Sequence, residues 1–182
     1  LAILVDENKI KWDDKVITYI PEFKMYNEYV TNEFTIRDLL THRSGLGLGA
    51  GDLMVWPDGH NFTPTDIINN IHHLKPVSGF RAKYDYDNLL YIIAGVVVER
   101  VSGQSWVDFV TKRLIEPIGM THTAASWNVL KDRKDIIDPH VPIDGKLQVI
   151  ERYKNPIFDA AAGLYSNVDD LAKWLQFNLN KG

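Results

Sequence analysis

The sequence contains no cysteine. Disulfides, zinc–thiolate centres and thiol nucleophiles are therefore excluded, and the absence is compatible with an oxidising compartment. Long apolar runs are also missing. The most hydrophobic stretch, "LLYIIAGVVV" from Leu89 to Val98, falls well short of the roughly 20 residues of a membrane span, and Glu99 and Arg100 follow it. No signal-peptide pattern is visible within these residues. Neither charge sign dominates: 20 Lys and Arg are interspersed with 24 Asp and Glu for a net charge of −4. That balance lacks the basic stripe of a nucleic-acid binder. Metal-ligand patterns are absent too. His72 and His73 are adjacent, so they diverge on a helix, and there is no H-E-x-x-H. Asp85, Asp87 and Asn88 do not have the spacing of an EF-hand loop. No metal and no cofactor is expected.

What is present reads as one domain over residues 1–182, with 45% hydrophobic and 24% charged residues, an ordinary globular balance. Helical patterns dominate. Leu1 to Glu7 reads as a helix end, and Asp13 to Ile20 as a turn or two before Pro21. Thr35 and Asp38 form a capping-box pair ahead of "IRDLLTHR", which Gly45 should end. "GLGLGAG" reads as a loop, since it lacks the Lys-Ser/Thr and the spacing of a phosphate cradle. Thr63-Pro64 opens a helix to about Leu74. Apolar residues recur at helical spacing from Asn88 to Val101, with Gly103 as the stop. Gln104 or Ser105 opens the next helix, which Pro117 should close. Residues 121–142 lack periodicity. Asp144-Gly145 between alternating apolar residues predicts a hairpin. Asn167 should cap the last helix, with Asp169 and Asp170 serving its N-terminus. The fold class is therefore mainly α with a small β-hairpin.

One segment holds more polar groups than helix capping requires. In "KYDYDNLLYIIAGVVVERVSG", two tyrosines, two aspartates and an asparagine precede the longest apolar helix. In extended chain, alternate side chains share a face, so Tyr86 and Asn88 point together while Asp85 and Asp87 point away. On a helix they do not. Pro76 and Gly79 upstream supply the extended setting. A phenol beside an amide can relay a proton and hold a carbonyl. Because free tyrosine titrates at about 10, a base role requires a cation nearby, such as a lysine beside a nucleophilic serine. Taken alone, Tyr86-Asp87-Asn88 is also what an ordinary helix cap looks like.

Four ordered pieces carry a resemblance: "LLTHRSGL", "GFRAKYDYDNLLYIIAGVVVERVSGQSW", "LIEPIGMTHT" and "AAGLYSNVDDLAKWL". Together they resemble the serine β-lactamase and penicillin-binding-protein superfamily, in its class C β-lactamase-like branch, over essentially the whole chain. That family works through Ser-x-x-Lys, Tyr-x-Asn and Lys/His-Thr-Gly motifs. The resemblance implies that Tyr86 is a general base or proton relay and that Asn88 bonds substrate and lysine. It implies acyl transfer to water from a β-lactam, a D-Ala-D-Ala peptide or a small ester. It also implies a small-molecule or peptidoglycan-like substrate and a periplasmic or secreted location.

The other two motifs are not in these residues. No serine has a lysine three positions on: Ser44 meets Gly47, Ser78 meets Arg81, Ser102 meets Ser105, Ser105 meets Asp108, Ser126 meets Val129 and Ser166 meets Asp169. His122-Thr123-Ala124 is a near-miss in the wrong place. The expectation is the helical domain and margins of a larger α/β fold, truncated at both ends, with most of its central sheet absent. Such a chain would be inactive alone and would expose apolar helix faces suited to self-association or a partner chain. The competing reading is a non-catalytic helical binding module. His42 and Ser44 are read as structural, since Ser44 is not in a G-x-S-x-G elbow. The five tryptophans should be mostly core, with Trp56, in a Pro-Asp-Gly loop, at a pocket edge.

Overall fold

The structure is a computed structural model that describes residues 1–59, 61–130 and 133–182. In chain order its elements are α1 (Ala2–Asp6), α2 (Val16–Tyr19), α3 (Glu28–Glu33), α4 (Pro64–Asn70), α5 (Leu89–Ser102), α6 (Trp106–Val110), α7 (Glu116–Ile118) and α8 (Trp127–Leu130). The hairpin β1 (His140–Ile143) and β2 (Lys146–Val149) follows, then α9 (Asp159–Ala162) and α10 (Val168–Leu179). Among the described residues the chain is mainly helical with one two-stranded sheet, as the sequence predicts.

Helix α5 is the centre. Leu89, Leu90, Ile93 and Val97 are fully buried, and α1, α2, α4, α6 and α9 pack around it. A helix apolar on every side has to be enclosed in this way. Each fully buried Leu, Ile or Val contributes roughly 1.5–3 kcal/mol relative to exposure. Gly95 lets α9 come close: a Cβ there would lie 2.5 Å from that of Ala160. The helix ends at Gly103, whose φ of 71° gives the left-handed stop expected.

Local chemistry explains the smaller elements. Thr63 and Asp66 close a full capping box on α4, with Pro64 in its first turn. Ser105 caps α6 by accepting from Asp108 N–H. Asp144 (φ 50°) and Gly145 (φ 73°) make the turn between β1 and β2, the two left-handed residues of a type I′ hairpin. The register pairs His140 with Val149 and Ile143 with Lys146.

Several sequence expectations need correction. Thr35 and Asp38 do exchange hydrogen bonds, but only a 3₁₀ turn, Asp38–Leu40, follows, and it has no side-chain cap of its own. His42, at φ 55°, has already left the helical path before Gly45. Pro117 does not close its helix. A π-helical segment, Thr111–Ile115, runs into α7, and Gly119 in the left-handed region ends it two residues after Pro117. α3 has a plain Asn27 cap, yet it buries no residue fully, so periodicity gives no sign of it. Trp12, Trp106 and Trp127 are only half-buried, while Trp56 and Trp174 are exposed. Indoles are too large to be enclosed fully in most cores.

Asp170 also has a different role from the one expected. Asn167 caps α10 by accepting from Asp170 N–H at 2.9 Å. The Asp170 carboxylate turns to another segment, accepting from His122 N–H (2.8 Å), the Thr123 hydroxyl (2.9 Å) and Lys173 (2.8 Å). Burial works against its ionisation, but these bonds outweigh burial and bring its pKa down to about 2. His122-Thr123-Ala124 is thus a structural seam. Ala124 and Tyr165 complete it with a two-bond backbone bridge, 2.9 Å each way.

Candidate active site

α5 begins at Leu89, but Asn88 already has helical dihedrals (φ −78°, ψ −34°), so the extended chain expected of the triplet does not reach its last residue. The side chains of Tyr86-Asp87-Asn88 alternate between solvent and core. Tyr86 is exposed at 44%, Asp87 is fully buried, and Asn88 is half-buried. Asp87, not Asn88, does the capping: its Oδ1 accepts from Leu89 N–H at 2.8 Å, whereas the Asn88 side chain makes no cap bond. Capping therefore accounts for the middle residue of the triplet and leaves the outer two available.

Two pieces of chain hold the triplet. The first is the stretch from His42 to Gly45, which runs beside residues 77–85. Val77 and Ser78 donate to Gly45 O, Arg81 N–H to Arg43 O (2.7 Å), and Asp85 N–H to His42 O (2.9 Å). The His42 imidazole sits beneath the motif. Its Nδ1 accepts from Asp87 N–H at 3.1 Å. Its ring lies 4.5 Å from that of Tyr86, 5.4 Å from Tyr84 and 5.0 Å from Tyr91. Burial pulls its pKa below the usual histidine value, which suits a ring accepting at Nδ1. His42 is structural, as its sequence context suggests, and it is also the floor of the motif. The missed signal was its place in "THRSGL", one loop away from three tyrosines.

The second piece is the glycine-rich loop. Gly49 N–H donates to Tyr86 O at 2.9 Å. Gly51, at φ 79°, seats so closely that a Cβ would fall 2.4 Å from Leu89 Cδ1 and 2.9 Å from Leu74 Cδ1. Asp52 then opens a 3₁₀ turn, Asp52–Met54, and its Oδ1 accepts from Asn88 Nδ2 at 3.1 Å. The glycines bring backbone against the motif.

Electrostatics separates the local carboxyls. Burial pushes Asp87 up to about 7, and the nearby Asp52 charge adds to the rise. Its Oδ2 is buried with no hydrogen-bond partner among the described residues. Asp85 pairs with Lys83 at 3.0 Å.

Trp56 belongs to the same turn, its N–H donating to Asp52 O at 2.7 Å. Its ring, however, packs on Tyr153 (4.3 Å) and Phe158 (5.2 Å). It lines a cavity of about 480 Å³ with Asp58, Glu151 and Arg152. Trp56 is at a pocket edge, and that cavity is not lined by Tyr86 or Asn88. Ser44 is buried and accepts from Leu46 N–H; the His72 and His73 rings do not diverge as expected but lie 3.8 Å apart, tilted by 40°, where a 3₁₀ turn follows α4. Among the described residues no cluster of His, Asp or Glu could hold a metal, and no helix is long and apolar enough to cross a membrane.

Comparison with known proteins bears on the family and the fold. The unguisins hydrolase ungD' of Aspergillus campestris is 28% identical over 96% of the chain. Protein flp of Staphylococcus aureus is 27% identical over 99%. The chain spans 34% and 36% of those two proteins' lengths. Among solved structures, the octameric penicillin-binding protein homologue from Pyrococcus abyssi superposes with a TM-score of 0.77 at 27% identity, covering 98% of this chain and 41% of that one. The family model described as Beta-lactamase matches residues 1–182. The chain belongs to the Beta-lactamase family and carries part of the β-lactamase and penicillin-binding-protein fold.

Proposed function

We propose that these residues are the helical part of a serine hydrolase that works through an acyl-enzyme, with Tyr86 as proton relay and Asn88 as the amide that contacts substrate. The observation that carries this reading is the presentation of Tyr86. Its ring is held exposed over His42, and its backbone is bonded by Gly49, at the mouth of a rigid buried helix. Functional groups on rigid, well-supported elements keep the geometry that proton transfer demands. A relative named as a hydrolase supports hydrolysis as the reaction class.

In this reading the serine and lysine of a Ser-x-x-Lys pair and a Lys/His-Thr-Gly strand come from residues outside the 182. The serine hydroxyl adds to the carbonyl of a β-lactam, a D-Ala-D-Ala peptide or a small ester. Its proton passes through the lysine–Tyr86 pair to the departing nitrogen or oxygen, and water then hydrolyses the acyl group by the reverse relay. The 182 residues alone are inert. The apolar stripe of Val168, Leu171, Leu175 and Leu179 on α10, exposed by 50–79%, supports burial against further chain or a second copy. A monodisperse, dye-silent monomer in light scattering would contradict that last point.

The test compares the 182-residue chain with the longer protein of its own reading frame on nitrocefin, p-nitrophenyl acetate and a D-Ala-D-Ala peptide. The longer protein should turn over at least one and yield an acyl adduct by mass spectrometry, and Tyr86→Phe should lower kcat by about 10²-fold or more. Turnover by the 182-residue chain above its Tyr86→Phe control, or a longer protein indifferent to that change, sinks the proposal.

A further inference from the structure

We infer that Asp52 is a positioning residue that sets which end of the Asn88 amide faces the reaction; the inference rests on the reading of Asn88 given above. A carboxylate offers only acceptors. By taking the Asn88 Nδ2–H at 3.1 Å, Asp52 holds the nitrogen end toward the turn and leaves Asn88 Oδ1 as the free end. That oxygen is then fixed as an acceptor, suited to a lysine ammonium. The second Nδ2–H is left to donate to a substrate carbonyl. An amide without such an anchor can rotate by half a turn and present the opposite polarity.

The anchor itself is rigid. Asp52 N–H donates to Gly49 O (3.1 Å), and Asp52 O accepts from Val55 N–H (2.9 Å) and Trp56 N–H (2.7 Å). Gly51 immediately before it is wedged on Leu89 and Leu74. The same turn grips Tyr86 through Gly49. One short segment thus registers both outer residues of the motif, the phenol through its backbone and the amide through its side chain. No ion pair among the described residues occupies Asp52, so its carboxylate is committed to this bond.

The test is a double-mutant cycle in the longer protein on whichever probe ester or lactam it hydrolyses, with melting temperatures recorded for every variant. Asp52→Ala should lower kcat about tenfold, the scale of one charge-assisted hydrogen bond. Asp52→Asn, which keeps the shape but offers a donor as well as an acceptor and so no longer fixes the polarity of Asn88, should recover only part of that loss. In an Asn88→Ala background, Asp52→Ala should cost less than about twofold, because the group it acts through is gone. A full loss in both backgrounds, or a loss that only follows the melting temperature, overturns the inference while leaving Asn88 functional. An Asn88→Ala variant as active as the parent overturns both the inference and the reading it rests on.

Discussion

The ring of Tyr86 rests 4.5 Å from the imidazole of His42, and that imidazole accepts the N–H of the very next residue, Asp87, at 3.1 Å. One side chain thereby supports an exposed aromatic ring and satisfies a buried backbone donor. His42→Ala removes both. It leaves the Asp87 N–H unpaired, which costs about 1–3 kcal/mol, besides the lost ring contacts. His42→Phe should restore the stacking but not the acceptor, and so recover only part of the loss. Urea denaturation of the two variants beside the parent chain checks the order parent, Phe, Ala.

Stability should respond to pH in opposite senses through two sets of groups. Asp87 at about 7 and Asp159 at about 6, both raised chiefly by burial, bind a proton more tightly folded than unfolded. Their contribution is therefore fully present below about pH 4 and is lost as pH rises through 6 to 7. Asp170, lowered to about 2, has the reverse sign: its contribution is present above about pH 4 and lost as pH falls toward 2. His42, with its pKa lowered by burial, adds a loss as pH falls below the unfolded histidine value. Melting temperature should accordingly be highest in the mildly acidic range. Asp87→Asn should flatten the fall between pH 5 and 8. An unchanged alkaline limb in that variant would assign the fall to another group.

The mainly helical fold was legible because its cues are local. Thr63-Pro64 opens α4 and Asp144-Gly145 turns the hairpin, each as read, and of the two starts open for the next helix, Gln104 or Ser105, it is Ser105 that caps α6. The periodicity of α5 was equally plain. What could not be read was long-range pairing. Nothing in the sequence links Asp52 to Asn88, 36 residues on, or His42 to Asp87, 45 residues on. The glycine loop looked like slack chain because its partner lies across that distance. Asp170 misled for a related reason. Its spacing from Asn167 fits a cap, but its carboxylate serves His122 and Thr123, 48 and 47 residues away.

Gly51 tests the grip of that loop on the core. Its φ of 79° lies in the left-handed region that favours glycine, and a methyl there meets Leu89 Cδ1 at 2.4 Å. Gly51→Ala should cost about 1–3 kcal/mol through backbone strain and overpacking together. Hydrogen exchange should show the Gly49 amide, bonded to Tyr86 O, losing protection more than amides at the centre of α5. Uniform loss across both would mean that the turn is not a separable clamp.

Thr123 separates a structural threonine from a catalytic look-alike. Its hydroxyl lies 2.9 Å from Asp170 Oδ2 and 2.7 Å from Ser166 Oγ, and the residue is buried. Thr123→Val keeps the shape and deletes the hydroxyl, so the Asp170 carboxylate loses one of three donors. The expected cost is about 1–2 kcal/mol. Because that carboxylate is then less favoured in its ionised form, the acid limb of the pH–stability curve should move to higher pH. In the longer protein, kcat should stay within about twofold of the parent at temperatures where both are folded, since the bond ties α10 to the 121–124 segment and touches none of the Tyr86 supports. A large loss of kcat with an unshifted acid limb would place Thr123 in the chemistry instead.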